Sequence, residues 1–355
     1  MESTTQKISI RKSTESRINQ VDFNNIPFGK IFSDHMYVVE YNGKEWVNPQ
    51  IVPYGNMPFS PSSAVIHYGQ SIFEGMKAYK NKKGEIMLFR PLDNFKRLNR
   101  SAVRMCMPEL PEELFMEGLK ELINIDSKWV PDTEGSALYI RPFMFSSDEF
   151  LGVRPSEHYK FMIITSPVGA YYTEPVKVLV EDYYTRAVEG GIGFVKAAGN
   201  YARSLYPAKL AQDKGYHQLI WTDAREKKYI EESGTMNVMF VIDDTLITPA
   251  VSTTILEGIT RDSVLTLARE WGMKVEERRV SVAEVIEAHE KGSLKDAFGT
   301  GTAATIAHFA LIGYKGKDYV LPPIETREFS NKVKIELNKI RLAEVPDTHN
   351  WIIKL

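Results

Sequence analysis

Residues 189–202 read EGGIGFVKAAGNYA. Lys196 stands there between Val195 and Ala197, with glycines at 190, 191, 193 and 199. Most lysines are solvated, and one that follows a glycine loop is ordinarily a surface charge. The apolar neighbours support a second reading: an amine stripped of water, able to condense with a carbonyl as a Schiff base, beside glycines that let the backbone approach a flat ring system.

A lysine used in that way with pyridoxal 5′-phosphate (PLP) needs a carboxylate facing the pyridine nitrogen and donors for the phosphate. Glu232, in YIEESGTMN, lies 232 − 196 = 36 residues downstream, just before a Gly turn and the apolar run NVMFVI. GITRDSVLTLAREWG (258–272) enters a helix through Gly-Ile-Thr, with Thr260 as the expected N-cap, and a helix N-terminus stabilises a phosphate through its free N–H groups and dipole. FGTGTAAT (298–305) offers Gly299, Thr300, Gly301 and Thr302 as a nest of backbone N–H groups. Arg97, in NFKRLNRSA, adds a cation expected on the opposite face of its helix from Phe95 and Leu98. Taken singly, these are an ordinary loop acid, cap, turn and solvated charge.

Around this core the chain has 355 residues, 43% of them apolar, enough for one large or two medium domains, each with a buried core. Lys and Arg total 44 against 46 Asp and Glu, a formal charge of −2, which argues against a general nucleic-acid or acidic-membrane binder and leaves phosphate recognition to local groups. Cys106 is the only cysteine, so disulfide frameworks and Cys-based metal sites are excluded and a reducing, cytoplasmic setting is expected. Cys106, between Met105 and Met107, reads as a small core residue. No apolar run approaches the ~18 residues of a membrane span. No metal-ligating set forms around His67 or His308.

Residues 1–25 are polar and read as a surface arm; a mitochondrial presequence is the alternative, with Lys7, Arg11, Lys12 and Arg17 among Ser and Thr, but Glu2 and Glu15 weigh against it. Period-two runs (HMYVVEY, EIMLF, ALYIRPFMF, YKFMIIT) and helical spacing over 92–106 and 112–125 predict a small N-terminal α/β domain, 26–168. A Pro- and Tyr-rich segment within 169–181 reads as linker. The larger remainder, 182–355, alternates strands (QLIWTD, NVMFVID, TLITP) with helices near 203–214, 262–272, 281–291 and 326–342.

The chain resembles the branched-chain amino-acid aminotransferases, PLP enzymes of fold type IV. The resemblance rests on FGKIFSDHM, HYGQSIFEGMKAY, LFRP with NFKRLNRSA, LYIRPF, VKAAGNYA, EESGTMN, LEGITRDS and FGTGTAA, in the family's order from Phe28 onward. It implies an α/β (α+β) architecture of two domains, the C-terminal one mixed and β-barrel-like with helices. It also assigns roles. Lys196 matches the Schiff-base lysine and proton shuttle, Tyr201 the partner of the PLP phenolate oxygen, and Glu232 the partner of the pyridine nitrogen. Arg97, Ile259, Thr260 and Thr302 match the phosphate cup. Tyr139 and the N–H groups of Thr302 and Ala303 match the grip on the substrate α-carboxylate. Phe28, Tyr68, Phe73 and Tyr171 match an apolar chamber, with Arg141 at its edge to admit the glutamate side chain; Tyr139 and Arg141, two apart on a strand, should face one way.

The implied activity is reversible ping-pong transamination between Leu, Ile or Val and 2-oxoglutarate, by a homodimer or larger assembly with Ser62–Phe73 as the expected contact. Mammalian relatives carry a Cys-x-x-Cys pair after the Gly-Thr-Ala turn; here Ala303-Ala304-Thr305-Ile306-Ala307 leaves no thiol switch. D-amino-acid aminotransferases and aminodeoxychorismate lyases share the lysine and glutamate, but FGKIFSDHM and HYGQSIFEGMKAY argue for the branched-chain type. A non-catalytic PLP carrier would not be expected to retain Lys196, Tyr201 and Glu232 together.

Overall fold

The computed structural model describes residues 7–23, 25–169 and 174–355. These fall into two compact units. The first holds the described residues up to 169, together with Lys196–Gly199 and Lys339–Leu355; the second holds 174–195 and Asn200–Asn338. Lys196 therefore belongs to the N-terminal unit, although it lies far along the chain.

The first unit is built on a nine-stranded sheet. Its strands are β1 (Ser9–Ile10), β2 (His35–Tyr41), β3 (Trp46–Pro53), β4 (Ser71–Phe73), β5 (Met76–Lys80), β6 (Ile86–Phe89), β7 (Ala137–Ser146) and β8 (Tyr159–Val168), with the C-terminal Ile352–Lys354 closing the edge beside β6. The order is β1-β3-β2-β8-β7-β5-β6, and β4 also pairs with β7. β7 and β8 pair along their whole length, from Ala137 opposite Val168 to Ser146 opposite Tyr159. Alternation in β7 sends Leu138, Ile140 and Met144 into the core and leaves Tyr139, Arg141 and Phe143 on the other face.

Helices α1 (Ala64–Tyr68), α2 (Pro91–Arg104) and α3 (Glu112–Ile125) complete this unit. α3 packs Phe115, Leu119, Leu122 and Ile123, all fully buried, at the spacing of one helical face. Gly118 is required on that face, because a Cβ there would fall inside the Tyr37 ring of β2. α2 ends at Arg104, and Cys106 adopts a left-handed φ of 53° and is exposed. The expectation of a core cysteine fails because the chain turns away two residues after the last helical position.

The second unit carries a ten-stranded mixed sheet. Its strands are β9 (Val176–Glu181), β10 (Gln218–Thr222), β11 (Tyr229–Ser233), β12 (Asn237–Ile242), β13 (Thr245–Thr248), β14 (Lys274–Glu277), β15 (Val280–Ser281), β16 (Leu294–Gly301), β17 (Thr305–Tyr314) and β18 (Lys317–Val320). The order is β14-β13-β12-β16-β17-β9-β10-β11-β15, with β18 on β17. Helices α4 (Ala198–Ala202), α5 (Leu205–Asp213), α6 (Ile259–Glu270), α7 (Val282–Glu290) and α8 (Glu328–Arg341) are interleaved, α4 and α8 each running across a unit boundary. Val178, Ile220, Val238, Phe240, Ala297 and Phe309 form the core; burying each large side chain contributes about 1.5–3 kcal/mol. Strand β9 occupies much of the stretch read as linker, because VKVLVE alternates too regularly to stay outside a sheet. Among the described residues no helix is long and apolar enough to cross a membrane.

Gly118→Ala tests the α3 contact. On propensity alone the change would favour the helix by up to about 1 kcal/mol. Against the Tyr37 ring it should instead destabilise by about 1–3 kcal/mol, read as a lower denaturant midpoint at unchanged slope.

Candidate active site

The centre of the first sheet is interrupted. β4 pairs with Phe143–Phe145 of β7 and β5 with Leu138–Ile140, so Glu74 and Gly75 fall between them, opposite the middle of the long strand. Pro142 sits at that point. Its carbonyl accepts from Glu74 N–H at 2.7 Å, and its nitrogen, facing the same side, has no hydrogen to donate. Proline is tolerated in a central strand where the neighbouring ladder is already broken.

The break turns Glu74 inward, where it is fully buried. α2 meets it with a polar stripe at 94, 97 and 101, one helical face beside the apolar stripe of Phe95, Leu98 and Ala102. Arg97 donates from Nε and Nη2 to the two Glu74 oxygens at 2.7 and 2.9 Å, and Asn94 donates to the same carboxylate at 2.7 Å. Burial pushes the Glu74 carboxyl up, but Arg97, then Lys196 and Asn94, outweigh it and hold the group below the usual carboxylate range. Arg97 was expected opposite Phe95 and Leu98, yet one residue is only a third of a turn; the structure places it buried, next to the apolar stripe.

Ser101, one turn on, accepts from the Lys196 N–H at 3.0 Å, and the Lys196 carbonyl accepts from Phe73 N–H at 3.0 Å. Ala197 bridges to Ile72. The lysine backbone is thus fixed at both of its polar groups, and Nζ lies 4.6 Å from the centre of the Phe73 ring. The Arg141 guanidinium lies over the same ring at 4.6 Å and donates to the Tyr139 hydroxyl at 3.0 Å; the expected common face of Tyr139 and Arg141 is observed. Phe28 packs edge-on against Tyr139 at 5.3 Å. Lys77, directly across from Tyr139 in the register, was not singled out from sequence. Burial, and then Arg341, pushes its ammonium down to about 7.

The second unit gathers its own group. Glu232 is 2% exposed on β11, accepting from Leu256 N–H at 2.6 Å and pairing with Arg186 at 2.9 Å. Arg186, which the sequence reading missed, also donates to the carbonyls of Thr254 and Gly193 at 2.7 and 3.2 Å. Nothing in TRAVEGG marks it beyond a single charge before the glycine loop. Asn200 donates to the carbonyls of Ile192 and Val195 at 2.7 and 2.9 Å, pinning the glycine loop. Tyr201 and Glu232 line one small cavity with Arg186 and Asn200.

α6 begins at Ile259, so its N-cap is Gly258 and Thr260 is a buried residue of the first turn. This corrects the expected cap. Only glycine fits at 258, because a Cβ there would fall on the Asn237 amide oxygen. The expected nest also changes: Gly299, Thr300 and Gly301 are strand residues of β16, and Thr302–Ala304 alone make the turn into β17. Thr300 Oγ is buried without a hydrogen-bond partner. Of the remaining expected residues, Tyr68 is half-exposed and donates to the Leu151 carbonyl at 2.5 Å, while Tyr171 lies outside the described residues.

The first unit thus fixes a lysine beside an arginine–tyrosine pair, and the second anchors a buried glutamate of its own. The chain belongs to the class IV aminotransferases, whose family model, Amino-transferase class IV, matches residues 71–308. It is 45% identical over 342 residues to branched-chain-amino-acid aminotransferase 2 of Bacillus subtilis, covering 95% of this chain and 94% of that one. With branched-chain-amino-acid transaminase 1 of the same organism it shares 44% over 354 residues, covering 98% and 99%. Among solved structures, it is similar to the branched-chain aminotransferase of Thermoproteus uzoniensis with norvaline (TM-score 0.75, 26% identity, 90% of this chain and 99% of that chain). The Escherichia coli branched-chain amino acid aminotransferase gives a TM-score of 0.74 at 27% identity, covering 90% and 98%.

Glu74→Gln should leave Arg97 with a weakened buried partner and lower stability by about 3–5 kcal/mol, measured by denaturant unfolding. The linkage has a definite sign. A carboxyl depressed in the folded state contributes stability above its unfolded pKa and loses it as pH falls through the folded value, so the gap between wild type and variant should narrow on acidification. A gap that stays constant down to acid pH would refute the ion-pair account.

Proposed function

We propose that this chain is a PLP-dependent branched-chain aminotransferase that exchanges an amino group between Leu, Ile or Val and 2-oxoglutarate by a ping-pong route. The observation that carries the reading is Lys196 held at both backbone groups beside Phe73 and Arg141, in a chain with relatives of that name over nearly its whole length.

The residues present fit the cofactor. Gly258 opens α6 with no side-chain cap, and the buried Thr300 hydroxyl is an unmatched polar atom two residues from the Thr302 turn. On this reading Arg97, Ile259, Thr260 and Thr302 hold the phosphate, Tyr201 the phenolate oxygen, and Glu232 the pyridine nitrogen. When bound, PLP supplies a carbonyl that takes up the amino group and a ring that stabilises negative charge at the substrate Cα. Lys196 Nζ moves the proton at that carbon. Glu232, oriented by Arg186 and the Leu256 N–H, keeps a proton on the ring nitrogen.

The Tyr139 hydroxyl and the N–H groups of Thr302 and Ala303 take the α-carboxylate. Phe28, Phe73, Tyr68 and Tyr171 take an aliphatic side chain, and Arg141 meets the second carboxylate of glutamate, which would otherwise be buried unpaired at a cost of several kcal/mol. The functional unit we propose is a cytoplasmic homodimer or larger, the exposed Ile66, Tyr68, Leu151 and Val153 supporting an apolar contact between copies.

Lys196→Ala should abolish transamination with the fold retained, and turnover within roughly tenfold of wild type would reject the assignment. Arg141→Met should slow the glutamate half-reaction at least roughly tenfold more than the leucine half-reaction in stopped-flow measurements. Equal losses in both would remove Arg141 from substrate recognition.

A further inference from the structure

Successive residues of a strand face opposite ways, and β11 carries two adjacent carboxylates. Glu232 meets Arg186; Glu231 lines a separate cavity of about 530 Å³ wholly within the second unit. That volume suits a small organic molecule. Glu231 is only 7% exposed. Its Oε1 accepts from the Thr254 hydroxyl at 2.5 Å, and its Oε2 has no hydrogen-bond partner. Two cations whose field reaches it are engaged elsewhere: Arg186 with Glu232, and Lys227 with the Tyr184 carbonyl at 2.9 Å. Asp223, an acid near it, already accepts backbone N–H bonds from 225, 226, 228 and 229.

A buried carboxylate oxygen without a donor is costly. Here it borders a cavity with apolar walls at Pro249, Val251 and Ile255. We propose that this cavity binds a small protonated amine, its ammonium meeting Glu231 and its hydrocarbon part lying on those walls. The lining selects the cation: Glu189, Asp223, Glu226 and Glu231 outnumber Arg225 and Arg279 there, and a neutral molecule would leave the buried carboxylate without a charged partner. The burial that pushes the Glu231 carboxyl up is relieved by an ammonium. The site also abuts the machinery. Thr254, which donates to Glu231, presents its carbonyl to Arg186, the partner of Glu232.

The test uses the PLP-loaded full-length enzyme and N,N-dimethylbutylamine, a tertiary amine that keeps one N–H when protonated but cannot condense with a carbonyl, so binding does not report Schiff-base chemistry. Isothermal titration at neutral pH should show one saturable site per chain for the amine and none for hexanoate. Glu231→Gln should weaken the amine at least tenfold. Val251→Trp, a change at a residue 42% exposed, should fill the cavity and abolish binding with the fold kept. Should Glu231→Gln fail to fold by circular dichroism, Val251→Trp decides alone. No binding by wild type, equal binding of hexanoate, or amine binding that survives Val251→Trp would overturn the proposal.

Discussion

A carboxylate fully withdrawn from water has to be met by a cation and by hydrogen bonds, or it will not stay ionised. Glu74 satisfies that requirement through Arg97 and Asn94, and much of the first unit follows from it. The pair exists because the sheet is broken between β4 and β5, and the break coincides with Pro142, whose ring could not have continued the ladder. α2 must then present polar residues every three to four positions along one edge of its buried face. The last of these, Ser101, sets the position of Lys196. One electrostatic constraint thereby fixes a strand break, a helix orientation and the placement of an amine from a distant part of the chain.

The second unit solves a related problem with different parts. Glu232 is buried as deeply, but its oxygens are held by a backbone N–H and by an arginine that also ties down two loops through their carbonyls. Arg186 therefore orders the segments around 193 and 254 while it orients the carboxylate. A lysine in its place would offer a point charge rather than a planar fork, and could not keep three acceptors in fixed directions as well. Stability and positioning are carried by the same side chain, so a substitution there would confound the two.

Regular alternation and helical spacing made many elements legible: 35–41 and 112–125 coincide with β2 and α3. The same method failed where a buried residue is polar. Hydrophobic periodicity treats Asn94, Arg97 and Ser101 as surface, because it counts only apolar atoms. The reading of Thr260 as a cap failed for a local reason: Gly258 is the N-cap, so the helix starts before the threonine. Of the site, Lys196, Tyr139 and Arg141 were legible and lie together, whereas Glu74 and Arg186 depend on partners 23 and 46 residues away, a pairing that no local pattern encodes.

Arg141 shows how a charge can be kept ready rather than consumed. Stacking on Phe73 holds the guanidinium plane without using its N–H groups, and the single bond to Tyr139 uses one of them. Its Nε is buried with no acceptor. Leaving a donor so placed costs of order 1–3 kcal/mol, a cost that packing alone gives no reason to retain. On the proposed reading an incoming carboxylate removes it, so glutamate gains more from this corner of the site than leucine does. On the same reading the apolar side chain gains from the Phe28 and Phe73 rings, which lie against Tyr139 and Arg141. On that reading two chemically unlike side chains share one chamber, the carboxylate meeting Arg141 and the hydrocarbon meeting the rings.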